Sequence, residues 1–379
     1  CRRRTTLLAS VADPVAVVVP CYLPNEVDII KDTITHLLDN MTHVESMTVY
    51  LVYNTPHQMP MQQELASMAQ KAELPAGRRL VVQECRGSTS KAANLNFVLP
   101  GLLEKYVAVY DADHHPDPDS LALAIQYLGD TGVDCVQGST YIRRGSFVQR
   151  LLTNAEFFVT YFAVLPAMQA VSGTGFFGGA NGVWRTSSLQ LMRFDTNALT
   201  EDIDCFARAI VDKGLKFRFL PECASGELLP SGVRALWSQR LRWAMGWDQV
   251  TARHAASFWR AKLPLRTKLG LYYIFVARWF TQLGAIIIVL FNVQSAVQHW
   301  QGSADELDQH PVPHQVLELQ IASFRLYAAF IGYVLLMAVL RTPALGMTLL
   351  PGVLCYFVCM PAYVIFNSLM LMISLSRVS

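Results

Sequence analysis

From Val15 to Val19 every side chain is apolar, and the run ends at Pro20. That pattern predicts a strand buried on both faces of a parallel sheet. From Glu26 to Leu38 the apolar positions change period: Val27, Ile30, Ile34, Leu37 and Leu38 lie on one helical stripe. Met47–Val52 and Leu80–Gln83 predict further strands, with a helix over Gln62–Ala72 between them. Ser90–Leu99 reads as a helix start, and Tyr106–Tyr110 as a strand that stops at Asp111. Asp119–Leu128 follows as a helix and Cys135–Tyr141 as a strand. Strands alternating with helices imply βαβ units and a parallel sheet, with ligands beyond the carboxyl ends of the strands.

The second half has a different texture. Phe147–Met168 is apolar and aromatic, but Arg150, Asn154 and Glu156 interrupt it, so it is expected to be a buried or amphipathic helix rather than a membrane span. Ser172–Gly182 is a glycine-rich loop, Leu199–Val211 a helix, and Ala235–His254 a tryptophan-rich helix. After Lys268 long apolar runs begin. Leu269–Asn292 carries one charge, Arg278, and is long enough to cross a bilayer at about 1.5 Å per residue. Phe324–Leu340 is a second candidate span. Ala344–Leu375, broken by Pro351 and Pro361, supplies one or two more. The expected division is a domain over 1–234, interfacial helices over 235–268, and transmembrane helices over 269–379.

Composition agrees with a membrane part. Charged residues make up 16% of the chain, below the roughly 25% usual for soluble domains. Arg260, Lys262, Arg266 and Lys268 precede the first expected span, whereas 294–320 has no Lys or Arg. The bias places the large domain in the cytosol, on the plasma membrane or an internal one. Arg278 is expected to face the protein interior, to snorkel, or to mark a glycan path. The net charge of +2 is neutral on nucleic acid, and no basic stripe or nucleic-acid motif is present. The eight cysteines form no C-x-x-C pair and read as reduced structural thiols. A start at Cys1 without Met marks a fragment or processed form, and no signal peptide is visible.

Four short motifs carry the candidate chemistry, in fixed order. Asp111-Ala112-Asp113 sets two carboxylates past a strand end, where both can reach one hard cation, Mg2+ or Mn2+, bridging diphosphate oxygens. A solvated acidic turn is the bland alternative. His114 and His115 are expected to pack rather than ligate. Gly178-Gly179-Ala180-Asn181-Gly182 forms the loop. Thr200-Glu201-Asp202 fits a helix start with Thr200 as its cap. Its acids either favour the helix dipole or place Asp202 as a general base for an acceptor hydroxyl. In Gln239-Arg240-Leu241-Arg242-Trp243, Gln239, Arg242 and Trp243 share a helix face. They suit phosphate and a sugar ring, or a headgroup layer together with Trp237, Trp247 and Trp259.

The ordered set D-x-D, G-G-A-N-G, T-E-D and Q-x-x-R-W resembles the processive family-2 glycosyltransferases, among them cellulose, curdlan, chitin and hyaluronan synthases. The resemblance runs over roughly residues 13–292. It implies an α/β GT-A (Rossmann-like) mixed-sheet domain fused to a C-terminal α-helical transmembrane region. It also implies an inverting transfer from a sugar nucleotide, UDP-glucose, onto a β-linked polysaccharide. By position, Asp111 and Asp113 would contact the diphosphate and its Mg2+ or Mn2+, and Asp202, beside Glu201, would be the base. Gln239, Arg242 and Trp243 would hold the diphosphate and the acceptor end. Lys91 and Asn94 resemble the nucleotide-pocket segment, and Phe177–Gly182, with Gly179 and Asn181, the loop under the acceptor sugar. Asn25 and Glu26 resemble the opening stretch. One departure is visible: Asn54 or Tyr53 stands where the family carries an aspartate against the nucleobase, which puts the UDP preference in question. The implied partners are a sugar nucleotide, a glycan acceptor, membrane lipid and accessory subunits. Three further readings are a single transfer onto lipid, a non-catalytic nucleotide-binding subunit and a transporter without catalysis.

Overall fold

The computed structural model describes residues 8–70, 74–280, 314–341 and 360–378, with isolated positions between 282 and 297 and between 353 and 358. Its strands are β1 (Val15–Tyr22), β2 (Met47–Asn54), β3 (Arg78–Glu84), β4 (Tyr106–Val109), β5 (His115–Pro116), β6 (Cys135–Arg144), β7 (Gly182–Arg185) and β8 (Phe217–Leu228). They form one sheet in the order β3-β2-β1-β4-β7-β6-β8-β5. β1 to β4 pair in parallel. β7 runs antiparallel to both β4 and β6, and β5 antiparallel to β8. The sheet is therefore mixed, as in GT-A folds. The alternation of strands and helices had accounted only for its parallel half.

β1 is central, and its residues from Val15 to Cys21 are buried, which explains its unbroken apolar run. Pro20 fits there because the β1–β4 ladder ends at Val18 and Val109. Tyr110 N–H donates to Val18 O, so the nitrogen of Pro20, two residues on, faces the gap where that ladder has stopped. Between β1 and β4 the strand order reverses, the place where such sheets bind ligands.

The helices are α1 (Leu23–Glu26), α2 (Ile30–Asn40), α3 (Pro60–Gln70), α4 (Lys91–Val98), α5 (Ser120–Asp130), α6 (Phe147–Phe158), α7 (Leu165–Ser172), α8 (Thr186–Gln190), α9 (Glu201–Asp212), α10 (Gly232–Arg260), α11 (Leu265–Tyr272), α12 (His314–Arg341) and α13 (Met360–Val378). The helix expected from Glu26 is split: α1 ends at Glu26 and α2 starts at Ile30. One buried cluster packs α2 and α5 on one face of the sheet, and a second packs α4, α9 and α10 on the other. Cys21, Cys85, Cys135, Cys205 and Cys223 are buried free thiols.

α6 and α7 are joined by a π-helical segment, Val159–Val164. Among the described residues, Phe147–Ser172 is the one helical stretch long and apolar enough to cross a membrane. It is the stretch the sequence assigned to a non-spanning helix. The spans expected over Leu269–Asn292 and Ala344–Leu375 lie partly outside the described residues. Phe324–Leu340 falls within α12.

A buried polar knot ties α10 to the C-terminal helices. Asp248, 1% exposed, accepts from Trp279 Nε1 at 2.7 Å, from the Arg278 guanidinium and from Ser374 Oγ. Of the positions the sequence allowed Arg278, the structure takes the interior one.

Candidate active site

A cavity of about 1090 Å³ opens at the carboxyl ends of β1, β2 and β4. Asn25, Glu26, Asn54, Lys91, Asn94, Asp111, Asp113, Glu201, Asp202, Gln239, Arg242 and Trp243 all line it. Residues spread over more than 200 positions thus meet: Asn54 ends β2, Asp111 follows β4, Lys91 and Glu201 begin helices, and Gln239, Arg242 and Trp243 reach in from within α10.

Lys91 opens α4, whose first turn is capped by Ser90 Oγ accepting from Ala93 N–H at 3.2 Å. Its ammonium pairs with Asp111 and lies 3.9 Å from Glu201 Oε1. Burial opposes the charge on Lys91, but Asp111, Glu201 and Asp202 outweigh it and hold Lys91 above its ordinary value. Burial likewise opposes the Asp111 carboxylate, which Lys91 and His114 hold below the usual range. Burial, with the charges of Asp111 and Asp113 adding to it against a thiol bond from Cys21, pushes Glu26 up to about 7. Carboxylates are thus crowded beside one buried ammonium.

Asp113 is held by Leu228 N–H, which donates to its Oδ2 at 3.2 Å. His114 is buried with Ser225 Oγ at 3.0 Å from Nδ1 and Glu227 Oε2 at 3.2 Å from Nε2. Both ring nitrogens are engaged, so His114 packs, as expected. Among the described residues no group of three or more His, Cys, Asp or Glu side chains forms a closed metal site. A Mg2+ or Mn2+ ion does not need one. Such ions commonly take one or two carboxylates and fill the remaining positions with phosphate oxygens and water. Asp111 and Asp113, two carboxylates one residue apart that both line the cavity, fit that donor set.

Across the cavity, Asp202 sits in the first turn of α9. Burial, then the charge of Glu201, raises its carboxyl to about 6, with Lys91 pulling the other way. Thr200 occupies the cap position, but its hydroxyl makes no capping bond. It packs instead on Gly246 of α10, where a Cβ would come within 2.3 Å of Thr200 Cγ2. α9 is anchored to α10 by Asp204, which takes Arg208 Nε at 2.7 Å, Arg253 at 3.2 Å and His254 at 2.9 Å. His254 and Arg208 outweigh burial and hold Asp204 at about 2.

α10 carries Gln239, Arg242 and Trp243. Arg242 donates to Leu199 O at 3.3 Å. Arg240, between them, is committed elsewhere: it makes a two-bond pair with Glu156 of α6, both at 3.0 Å, and lies 4.8 Å from the Trp243 ring centroid. The other tryptophans have different surroundings. Trp247 stacks on Phe176 at 5.4 Å, Trp237 meets Phe366 edge-on at 5.1 Å, and Trp259 is exposed.

The glycine loop divides its work. Gly178 and Ala180 line the cavity; Gly179 and Asn181 do not. Gly179 has φ +94°, and a Cβ there would lie 2.5 Å from Asp202 Oδ2. Asn181 is 1% exposed and donates to Ser139 O at 2.7 Å and Cys223 O at 2.8 Å. The β6–β8 register jumps from Gly138–Leu220 to Ser139–Ala224, so Cys223 lies in a bulge whose carbonyl Asn181 satisfies. Asn181→Ala is expected to leave these carbonyls short of a donor and lower stability by about 1–3 kcal/mol, read as a shifted urea midpoint.

Asn54 is also bound inward. Its Nδ2 donates to Ser88 O at 3.0 Å and its Oδ1 accepts from Asn94 Nδ2 at 2.8 Å. Where the family pattern has a charged acceptor for a base, this chain has an amide oxygen already in use. Sequence reasoning gave no site role to Glu156, Tyr161 and Glu227, and read Trp247 only as an interfacial residue; all four also line the cavity. Glu156 was visible only as a charge in an apolar run, and Glu227 stands in no motif.

A mixed GT-A-like sheet with its cavity at the switch point describes a nucleotide-sugar transferase domain in outline. Residues 12–246 match the family described as glycosyltransferase like family 2, and the chain belongs to that family. It is 28% identical over 212 residues, half of this chain and 38% of the relative, to glucomannan 4-beta-mannosyltransferase 7 of Arabidopsis thaliana. It is also 28% identical over 247 residues, 58% of this chain and 41% of the relative, to probable glucomannan 4-beta-mannosyltransferase 7 of Oryza sativa subsp. japonica. The chain thus spans about two-fifths of the length of these curated relatives. In fold it is similar to a mannosyltransferase from Pyrobaculum calidifontis solved with GDP-Man and Mn2+. The TM-score is 0.57 and the identity 21%, over 87% of both chains.

Proposed function

We propose that this chain is a membrane-associated inverting mannosyltransferase that moves mannose from GDP-mannose onto a β-linked glycan. Residues 1–234 would be its cytosolic catalytic domain, with 235–268 at the membrane face and 269–379 in the membrane. The observation that carries the reading is the convergence of Lys91, Asp111, Asp113 and Asp202 in one cavity, with Gln239, Arg242 and Trp243 opposite. The donor differs from the UDP-glucose expected from the sequence. Both plant relatives are named as mannosyltransferases, and Asn54 lacks the charge on which the UDP preference rested.

Asp202 takes the proton from the acceptor hydroxyl as that oxygen attacks the anomeric carbon from the face opposite the diphosphate. Lys91 and Arg242 place positive charge where the leaving diphosphate gathers negative charge. Asp111 and Asp113 would hold Mg2+ or Mn2+, which supplies Lewis-acid neutralisation of that diphosphate when bound. Trp243 offers a ring face to the acceptor sugar.

The test offers purified protein in nanodiscs, with Mn2+, radiolabelled GDP-mannose, UDP-glucose or UDP-N-acetylglucosamine, and a β-mannan oligosaccharide. Ethanol-insoluble label from GDP-mannose alone is the expected result. Polymer from UDP-glucose would overturn the donor. Label only in the lipid extract would replace the polymer acceptor by lipid. Nucleotide binding without turnover would favour a non-catalytic subunit.

A further inference from the structure

The aspartate turn is gripped from behind as well as presented to the cavity. A helical threonine hydroxyl commonly bonds back to a carbonyl of the preceding turn. Thr33 of α2 does not: it is fully buried, and its Oγ1 donates at 2.6 Å to Ala112 O, the carbonyl between the two aspartates. The next carbonyl, Asp113 O, accepts from Arg143 of β6 through Nε and Nη2, each at 3.3 Å. Arg143 in turn has Asp32, the neighbour of Thr33, 3.8 Å from its Nη1. The Ala112 methyl is buried among the apolar residues of α2. None of Asp32, Thr33 or Arg143 lines the cavity, whereas Asp111 and Asp113 do.

We propose that Thr33 and Arg143 are positioning residues that fix the carbonyls of residues 112 and 113, and so aim the two carboxylates at a divalent cation and diphosphate. The proposal rests on the reading of Asp111 and Asp113 as that site. Two carboxylates on a short turn bind one cation only if both keep their direction. A free turn would lose that direction to backbone rotation, and ordering it on binding would cost conformational entropy. Here α2 removes the freedom before ligand arrives, directly through Thr33 and indirectly through Asp32 and Arg143. Groups that orient metal-binding side chains typically account for about 10–100-fold in metal affinity.

The test titrates Mn2+ into the purified full chain with GDP, read by loss of the free-ion EPR signal, for wild type, Thr33→Val, Thr33→Ser and Arg143→Lys. Thermal melts run alongside. Thr33→Val keeps the shape and removes the donor. It is expected to weaken Mn2+ binding about tenfold, and Thr33→Ser is expected to restore it. Arg143→Lys keeps the charge beside Asp32 but loses the two-donor fork, and shows the same loss even if Thr33→Val fails to fold. Wild-type Mn2+ affinity in both Thr33→Val and Arg143→Lys overturns the clamp alone. So does a loss that tracks melting temperature and is not rescued by serine. No Mn2+ binding by wild type, with GDP bound, removes the reading beneath it and the clamp with it.

Discussion

Asp202→Asn is expected to lower turnover by about 10²–10⁴-fold, the range general acid–base catalysis contributes, with sugar-nucleotide binding kept. The substitution preserves the shape of the side chain and the bond its Oδ1 accepts from Ile203 N–H at 2.9 Å. It removes the ability to take a proton. The pH profile makes the assignment sharper. A base acts only when unprotonated, and burial with Glu201 raises this carboxyl to about 6. If Asp202 is the base, protonation is expected to silence turnover below that pH. Activity is expected to climb about tenfold per unit up to about pH 6 and then level off. In Asp202→Asn the residual rate should show no such limb. A limb that survives the substitution unchanged would assign the titration to another group and take the base role from Asp202.

Much of this site is legible in the sequence because its chemistry sits at element ends. Asp111 stops an apolar strand and Glu201 starts a helix. Such positions stand out against a hydrophobic pattern and point at one crevice once the strands are parallel. Side-chain direction is not legible in this way. Asn181 lies inside a glycine-rich motif, yet its amide serves a bulge in β8 created by a register jump 40 residues away. β8 itself was not among the expected strands; Pro221 lies within it, and the ladder skips from Leu220 to Ala224 to leave that residue out. Thr33 looked like one more polar position on an amphipathic helix, because its partner is 79 residues distant. The C-terminal spans were read from length and scarcity of charge, and polar interruptions set Phe147–Met168 aside, yet Phe147–Ser172 is long and apolar enough to cross a membrane.

Gly179→Ala tests whether the glycine loop and the base are placed by one another. At φ +94° a residue with a side chain is strained, at a cost of about 1–2 kcal/mol in the left-handed region. The space is also taken: the new methyl would lie 2.5 Å from Asp202 Oδ2, 3.2 Å from Cγ and 3.3 Å from Cβ. Relief is available in two directions. The loop cannot easily retreat, because Gly178 N–H donates to Gln137 Oε1 at 3.0 Å and Asn181 N–H to Val109 O at 2.8 Å. The Asp202 side chain is the freer partner and is expected to swing away from the reacting oxygen. A misplacement of about 1 Å can cost about 10²-fold in rate, so kcat should fall by about that factor while KM for the sugar nucleotide changes little. Urea unfolding should show a smaller loss, near the strain alone. If stability falls by the full amount and kcat per folded molecule is unchanged, the loop has moved instead of the carboxylate. The closeness of Gly179 to Asp202 would then be a matter of packing and not of catalysis.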